Sequence, residues 1–191
     1  MKKLMFVSFL VLFAHITIFA QPFAKKQHAI NAGIGFGNTA YWGSYYSGFF
    51  PSISGSYEYG IVEVPMGSDL TGVVGVGGYM GWSTSRYDYS WDDYYYRYND
   101  IIIAARGNYH FIFHDKLDTY AGIWFGVDIV TGGWHGDGNY PDDDDWDMAS
   151  TGPTGGAYVG ARWFFKDNFA AYAELGYLIS IFNIGVTWKI E

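Results

Sequence analysis

Beyond its first twenty positions, most of this chain alternates apolar and polar residues one for one. Eight segments carry the pattern, at about 28–37, 50–61, 73–85, 99–111, 117–130, 155–165, 169–177 and 182–190. In the first, Ile30, Ala32, Ile34 and Phe36 share one face, and Asn31, Gly33, Gly35 and Gly37 share the other. Successive strand residues point to opposite faces, so a period of two predicts β-strands with one greasy side and one polar side. Among the charged residues that fall within these segments are Glu58, Asp100, Arg106, Asp128, Arg162, Glu174 and Lys189. All seven lie on the polar side, opposite runs such as Ile123, Phe125, Val127 and Ile129.

The make-up of the polar face decides which way such a sheet curls. A secreted, soluble lipocalin-like barrel turns its polar face to water and fills it with Lys, Glu and Thr. Here that face is mostly Gly, Ser, Asn and Tyr, and its charges are few and of both signs. Small residues fill a narrow interior, and near-balanced charge suits buried pairs better than a solubilising surface. The segments are about as long as the 9–11 residues that cross a bilayer at a tilt. Their even number returns the chain to the side it started from. The expected architecture is all-β: an eight-stranded antiparallel transmembrane β-barrel. The soluble ligand-binding barrel is its alternative.

The start of the chain fits that compartment. Met1-Lys2-Lys3 followed by an apolar run to Ala20 reads as a cleaved secretory signal over 1–20, leaving a single barrel domain over 21–191. Losing Lys2 and Lys3 takes the formal charge from −8 to −10, which argues against nucleic acid as a partner. With no Cys, a disulfide framework is excluded. Connections long on one side and short on the other orient the barrel, with outer loops at about 38–49, 86–98, 131–154 and 178–181. The opposite turns fall at about 62–72, 112–116 and 166–168.

Several segments resemble the small outer-membrane β-barrel domain family of Gram-negative bacteria, whose members look like short OmpX- or OmpA-type barrels. The stretches that carry the resemblance are Pro51-Ser-Ile-Ser-Gly-Ser-Tyr-Glu-Tyr-Gly60, Ile101-Ile-Ile-Ala-Ala-Arg-Gly-Asn-Tyr-His-Phe111 and Leu117-Asp-Thr-Tyr-Ala-Gly122. Val159-Gly-Ala-Arg-Trp-Phe-Phe165 and Ala173-Glu-Leu-Gly-Tyr177 add to it. The resemblance implies an eight-stranded barrel in the cell outer membrane. It also implies the outer-membrane lipid, lipopolysaccharide and the barrel-assembly machinery as partners.

Four groups of residues are candidates for function. Glu58, Arg106, Asp128, Arg162, Glu174 and Lys189 should form an ion network in the lumen, since guanidinium groups pair well with carboxylates in a crowded interior. Tyr41, Trp42, Tyr45, Tyr46, Tyr94, Tyr95, Tyr96, Trp134 and Trp146 give the outer loops a surface suited to a glycan or a protein. Asp142, Asp143, Asp144 and Asp145 form a weak candidate for divalent cations, because their spacing lacks the terminal Glu of a calcium loop. His135, near Asp137 and Ser150, is the sole footing for a lipid-modifying enzyme, and no Ser sits beside it. The sequence therefore predicts a structural or adhesive protein with no catalytic residues and no cofactor.

Overall fold

The computed structural model describes residues 22–39, 46–48, 51–66, 71–88, 94–136 and 148–190. The predicted signal segment lies outside them. The described residues form nine antiparallel strands: β1 His28–Asn38, β2 Tyr46–Gly48, β3 Ser52–Pro65, β4 Thr71–Asp88, β5 Tyr94–His114, β6 Leu117–Gly136, β7 Met148–Lys166, β8 Phe169–Gly176 and β9 Ser180–Ile190. The short β2 pairs only with β4. The other eight pair in the ring β1-β3-β4-β5-β6-β7-β8-β9, which closes where β9 meets β1. Closure leaves none of these eight as an edge strand along its full length.

The alternation decides which face turns inward. Ile123 and Phe125 are each 70% exposed on the outer surface, with Met80, Val159, Ile53 and Trp188 more than half exposed around them. Arg162, Glu58, Asp118 and His110 are at most 1% exposed inside. A soluble barrel would carry its apolar face inward; this one has the opposite arrangement, so the lipocalin-like alternative is set aside.

Glycines on the inward side make room for the bulky polar groups opposite. A methyl at Gly75 would run into the Glu58 carboxylate, and one at Gly160 would meet the Tyr120 ring at 2.5 Å. Register irregularities at Gly60/Val62, Ile112/His114 and Phe164/Lys166 all lie near one end of the barrel. Bulges gather at barrel rims, where they bend a strand and end its pairing.

The strands run further than their alternation. The segments read as outer loops at 86–98 and 131–154 are largely strand, because β4 continues to Asp88, β5 starts at Tyr94, β6 ends at Gly136 and β7 starts at Met148. Near the other rim, β3 reaches Pro65 and β4 resumes at Thr71, shortening the connection read as 62–72. Past the apolar band both faces are polar, so the period of two fades while the backbone ladder continues. The rim is uneven: β5, β6 and β7 hold 21, 20 and 19 residues, against 8 and 11 in β8 and β9.

Two short segments fold into the ends. The connection between β8 and β9, read as an outer loop, turns inward and buries Leu178 and Ile179 against Tyr79, Ile102, Ala104, Tyr120, Trp124 and Tyr158. Trp124 Nε1 donates to the Tyr177 carbonyl at 2.5 Å, and Thr39 Oγ1 donates to that of Leu178 at 2.6 Å. At the opposite end Phe23 is fully buried beside Ala29 and Val73. It is held by a tight turn in which Lys26, at φ 68, donates its backbone N–H to the Gly60 carbonyl at 2.8 Å.

Candidate functional site

The interior is organised around two arginines carried by the inward parity of β5 and β7. Arg162 sends Nη2 to Glu58 Oε2 at 2.6 Å and Nη1 to Asp118 Oδ2 at 3.1 Å. His110 lies between the same two carboxylates, with Nε2 2.5 Å from Glu58 Oε1 and Nδ1 2.7 Å from Asp118 Oδ1. Both ring nitrogens face carboxylate oxygens, so a doubly protonated ring donates to both. Phe23 closes this group from below, its ring 4.7 Å from that of His110 and 5.6 Å from the Arg162 guanidinium carbon.

Arg106 anchors the second group. Its Nη2 donates to Glu174 Oε1 at 2.6 Å and its Nε to the Tyr158 hydroxyl at 2.5 Å. Tyr120 donates its hydroxyl to the same Glu174 oxygen at 2.8 Å. Asn108 joins the two groups, donating to Glu58 Oε1 at 2.7 Å and accepting from Tyr158. A third set runs across the seam, where Thr187 donates to Asn31 and Asn31 to Ser56. Buried charges of this kind hold their place only when paired and hydrogen-bonded, and nearly every polar atom here has a partner.

The predicted lumen residues thus separate. Glu58 and Arg162 sit in one group, and Arg106 and Glu174 in the other. Lys189 is buried apart from both, its ammonium 5.2 Å from the Phe164 ring centre. Asp100 accepts from Ser83 at 3.5 Å. Asp128 belongs to neither group; it is half-buried, and its Oδ1 has no hydrogen-bond partner among the described residues. Asp118, Asn108, Tyr120 and Tyr158 are members that the sequence reading did not single out. Each lies on the inward parity, which was the signal that could have found them.

The predicted aromatic surface divides between strand and loop. Tyr95 and Tyr96 lie on β5 and face opposite ways, Tyr96 buried beside Tyr98 and Tyr95 partly exposed. Tyr95 takes the Arg86 guanidinium over its ring at 3.9 Å, accepts from Arg97 Nη2 at 3.0 Å and stacks on His135 at 5.6 Å. Tyr46, Tyr94 and Trp134 lie on β2, β5 and β6. Tyr41, Trp42, Tyr45, Trp146 and the acidic residues Asp142, Asp143, Asp144 and Asp145 fall outside the described residues. Among the described residues, no three or more His, Cys, Asp or Glu group as metal ligands. Ser150, considered with His135, pairs instead with Val130 further down β6.

No family model matches the chain, and no curated protein matches it significantly. Solved structures do. Ail, the attachment invasion locus protein of Yersinia pestis, in complex with the heparin analogue sucrose octasulfate, superposes with a TM-score of 0.52 at 10% identity, covering 87% of this chain and 99% of Ail. A second crystal structure of Ail gives 0.51 at 10% identity over the same shares. The N-terminal β-barrel domain of Pseudomonas aeruginosa OprF aligns at 14% identity with a TM-score of 0.44, over 88% of this chain and all of that domain. In its closed ring of eight antiparallel strands, this chain has the barrel fold seen in Ail.

Proposed function

We propose that the protein is a structural and adhesive barrel of the Gram-negative outer membrane, its export signal over residues 1–20 removed and its interior closed. The observation that carries this reading is the inversion: a girdle of Ile, Val, Phe, Met and Trp faces outward, while paired charges fill the inside. Exposed apolar patches of that extent belong in lipid, and a closed ring leaves no unpaired edge there. An eight-stranded interior is just wide enough to be filled by its own side chains, which supports a stopped barrel over a pore. The interior polar groups are occupied with one another, which favours a structural role over a catalytic one.

Function then falls to the outer rim and its loops, rich in Tyr, Trp and Asp. The fold's likeness to Ail, a protein named for attachment and solved with a heparin analogue, favours a surface that grips glycan or protein. Lipopolysaccharide would surround the outer half of the girdle, and the barrel-assembly machinery would insert it. The test pairs two measurements on outer-membrane vesicles carrying the protein. Folded protein should migrate differently on SDS gels before and after boiling. The vesicles should adhere to a heparin- or glycan-coated surface, and Tyr41→Ser, Trp42→Ser and Tyr45→Ser together should reduce that adhesion. A soluble protein without a heat shift refutes the barrel in the membrane; adhesion unchanged by the triple substitution refutes the loop surface.

A further inference from the structure

The outward face has a groove in it, with a volume of about 980 Å³. Gly78 of β4 with Ala105 and Gly107 of β5 form its floor; Tyr57 and Tyr59 of β3 stand on one side, Ile123 and Phe125 of β6 on the other. The inward glycines are forced by the bulky groups opposite them. A methyl at Gly78 or Gly107, in contrast, would come no closer than 3.9 Å to the atoms around it. Glycine inside a strand weakens it, and often marks a place that something approaches closely. Within this chain nothing does.

Register sets the direction of the groove. One cross-strand row joins His28, Tyr59, Val76, Gly107 and Ile123, and the next joins Ile30, Tyr57, Gly78, Ala105 and Phe125. Such rows climb as they pass round the ring. The one that leaves Val62 runs through Val74, Tyr109, Ala121 and Val159 and comes back to β1 at Phe36, far up that strand. With strands about 4.8 Å apart and tilted by roughly 40°, each step lifts a row about 3 Å, so the groove rises roughly 12 Å between β1 and β6. Half of a hydrocarbon core is about 15 Å, so the groove is about one leaflet deep.

Its low end, where β1 begins, is polar. His28 Nδ1 and the Tyr57 hydroxyl are 2.6 Å apart, and the imidazole lies 4.8 Å from the Tyr59 ring. Lys25 and Lys26, both exposed, stand in the turn before β1, which the Lys26 N–H ties to the Gly60 carbonyl at 2.8 Å. Glu63 accepts the Lys25 backbone N–H at 3.2 Å, so this corner sets two ammonium groups beside one carboxylate. Long cationic side chains at such a rim reach the headgroup layer and pair with phosphate there.

We infer that this groove holds one phospholipid of the leaflet where β1 begins, the periplasmic one in the orientation read from the loops. An acyl chain lies along Gly78, Ala105 and Gly107, and the phosphate sits beside Lys25, Lys26 and the His28–Tyr57 pair. The inference rests on the barrel standing in the outer membrane, as proposed above, and adds to it a defined lipid on a defined face.

The probe is dioleoyl phosphatidylglycerol, compared with the diacylglycerol of the same chains. Each is offered to the full mature chain in detergent micelles, and bound lipid is counted by native mass spectrometry. Wild type should retain one phospholipid and little diacylglycerol. Gly78→Leu with Ala105→Leu fills the groove from outside the packed interior and should abolish retention while the heat shift on gels persists. Lys25→Gln with Lys26→Gln should lower the preference for the phosphate-bearing lipid about tenfold, the worth of one charge-assisted contact. A wild type that retains no phospholipid, or retains both lipids alike, overturns the proposal whatever the variants do, as does unchanged retention in the Leu pair. Wild-type dimers that the Leu pair loses would seat a second copy in the groove and overturn it too. If the Leu pair loses its heat shift, the wild type and the Gln pair decide. A soluble chain without a heat shift refutes the membrane barrel itself, whereas a heat-modifiable chain without bound lipid refutes the groove alone.

Discussion

Replacing Arg162 with Met is the most demanding test of the interior. The substitution keeps an unbranched stem of similar girth but removes a guanidinium that is wholly buried and bonded to two carboxylates at 2.6 and 3.1 Å. Glu58 and Asp118 then face each other with the His110 ring between them. Breaking a buried ion pair from one side costs about 3–5 kcal/mol, because the stranded charge stays out of water. At about 1.4 kcal/mol per factor of ten, the unfolding equilibrium shifts by roughly two to three and a half decades. Urea titration of the refolded barrel in lipid vesicles, followed by tryptophan fluorescence, measures the difference. Combining the change with Glu58→Gln removes one of the stranded charges and should recover about 1–3 kcal/mol of the loss, a coupling of ordinary size for residues in direct contact. A single variant within about 0.5 kcal/mol of wild type, or a double variant no better than the single, would refute the network as a unit of stability.

Three further predictions address other layers of the molecule. Ile123→Lys places an ammonium in the outward girdle and should destabilise the barrel in vesicles by about 2–4 kcal/mol, whereas a water-facing surface would accept it without loss. Gly160→Ala pushes a methyl against the Tyr120 ring and should cost about 1–3 kcal/mol by overpacking, read as a lower urea midpoint with unchanged slope. Phe23→Ala empties the space beneath His110 and Arg162 and should cost about 3–5 kcal/mol, with faster solvent exchange at the His110 backbone amide by hydrogen–deuterium exchange. Exchange as slow as in wild type would mean that Phe23 is not what shields that end.

What could be read from sequence follows the strength of the periodic signal. Glu58, Arg106, Arg162 and Glu174 sit in the middle of strands with strongly apolar neighbours, so their inward orientation was plain from parity. Their pairing was not: parity gives a face, while register decides that Arg106 meets Glu174 and Arg162 meets Glu58. Asp118 sits at the very start of β6, beside a turn where a polar residue looks unremarkable. Tyr120 and Tyr158 are inward because their hydroxyls reach Glu174, Arg106 and Asn108, yet an aromatic ring reads as apolar in any alternation. Beyond the girdle, the row Arg86, Arg97 and Gly133 carries no large apolar residue on a face that was apolar below, so those extensions of β4, β5 and β6 passed for loops. Phe23 and the Leu178–Ile179 pair were missed for a different reason: one or two buried residues outside a strand leave no period.

The ring is sealed by pairing β1 with β9, which joins His28 to Ile190 and Ala32 to Val186. Every other neighbour pair in the ring is a hairpin or a near neighbour in sequence, so this seam has by far the largest loop to close. Its conformational entropy must be met before its ladder contributes, which makes the seam the slow, late event in assembly. The turn at residues 24–27 changes the terms of that event. By hooking Lys26 and Gln27 onto Gly60 of β3, it sets the register of β1 from the hairpin side, leaving β9 a fixed template rather than a sliding one. Trimming the chain to begin at His28 would leave the ring's hydrogen bonds intact on paper while allowing its final strand more than one way to dock.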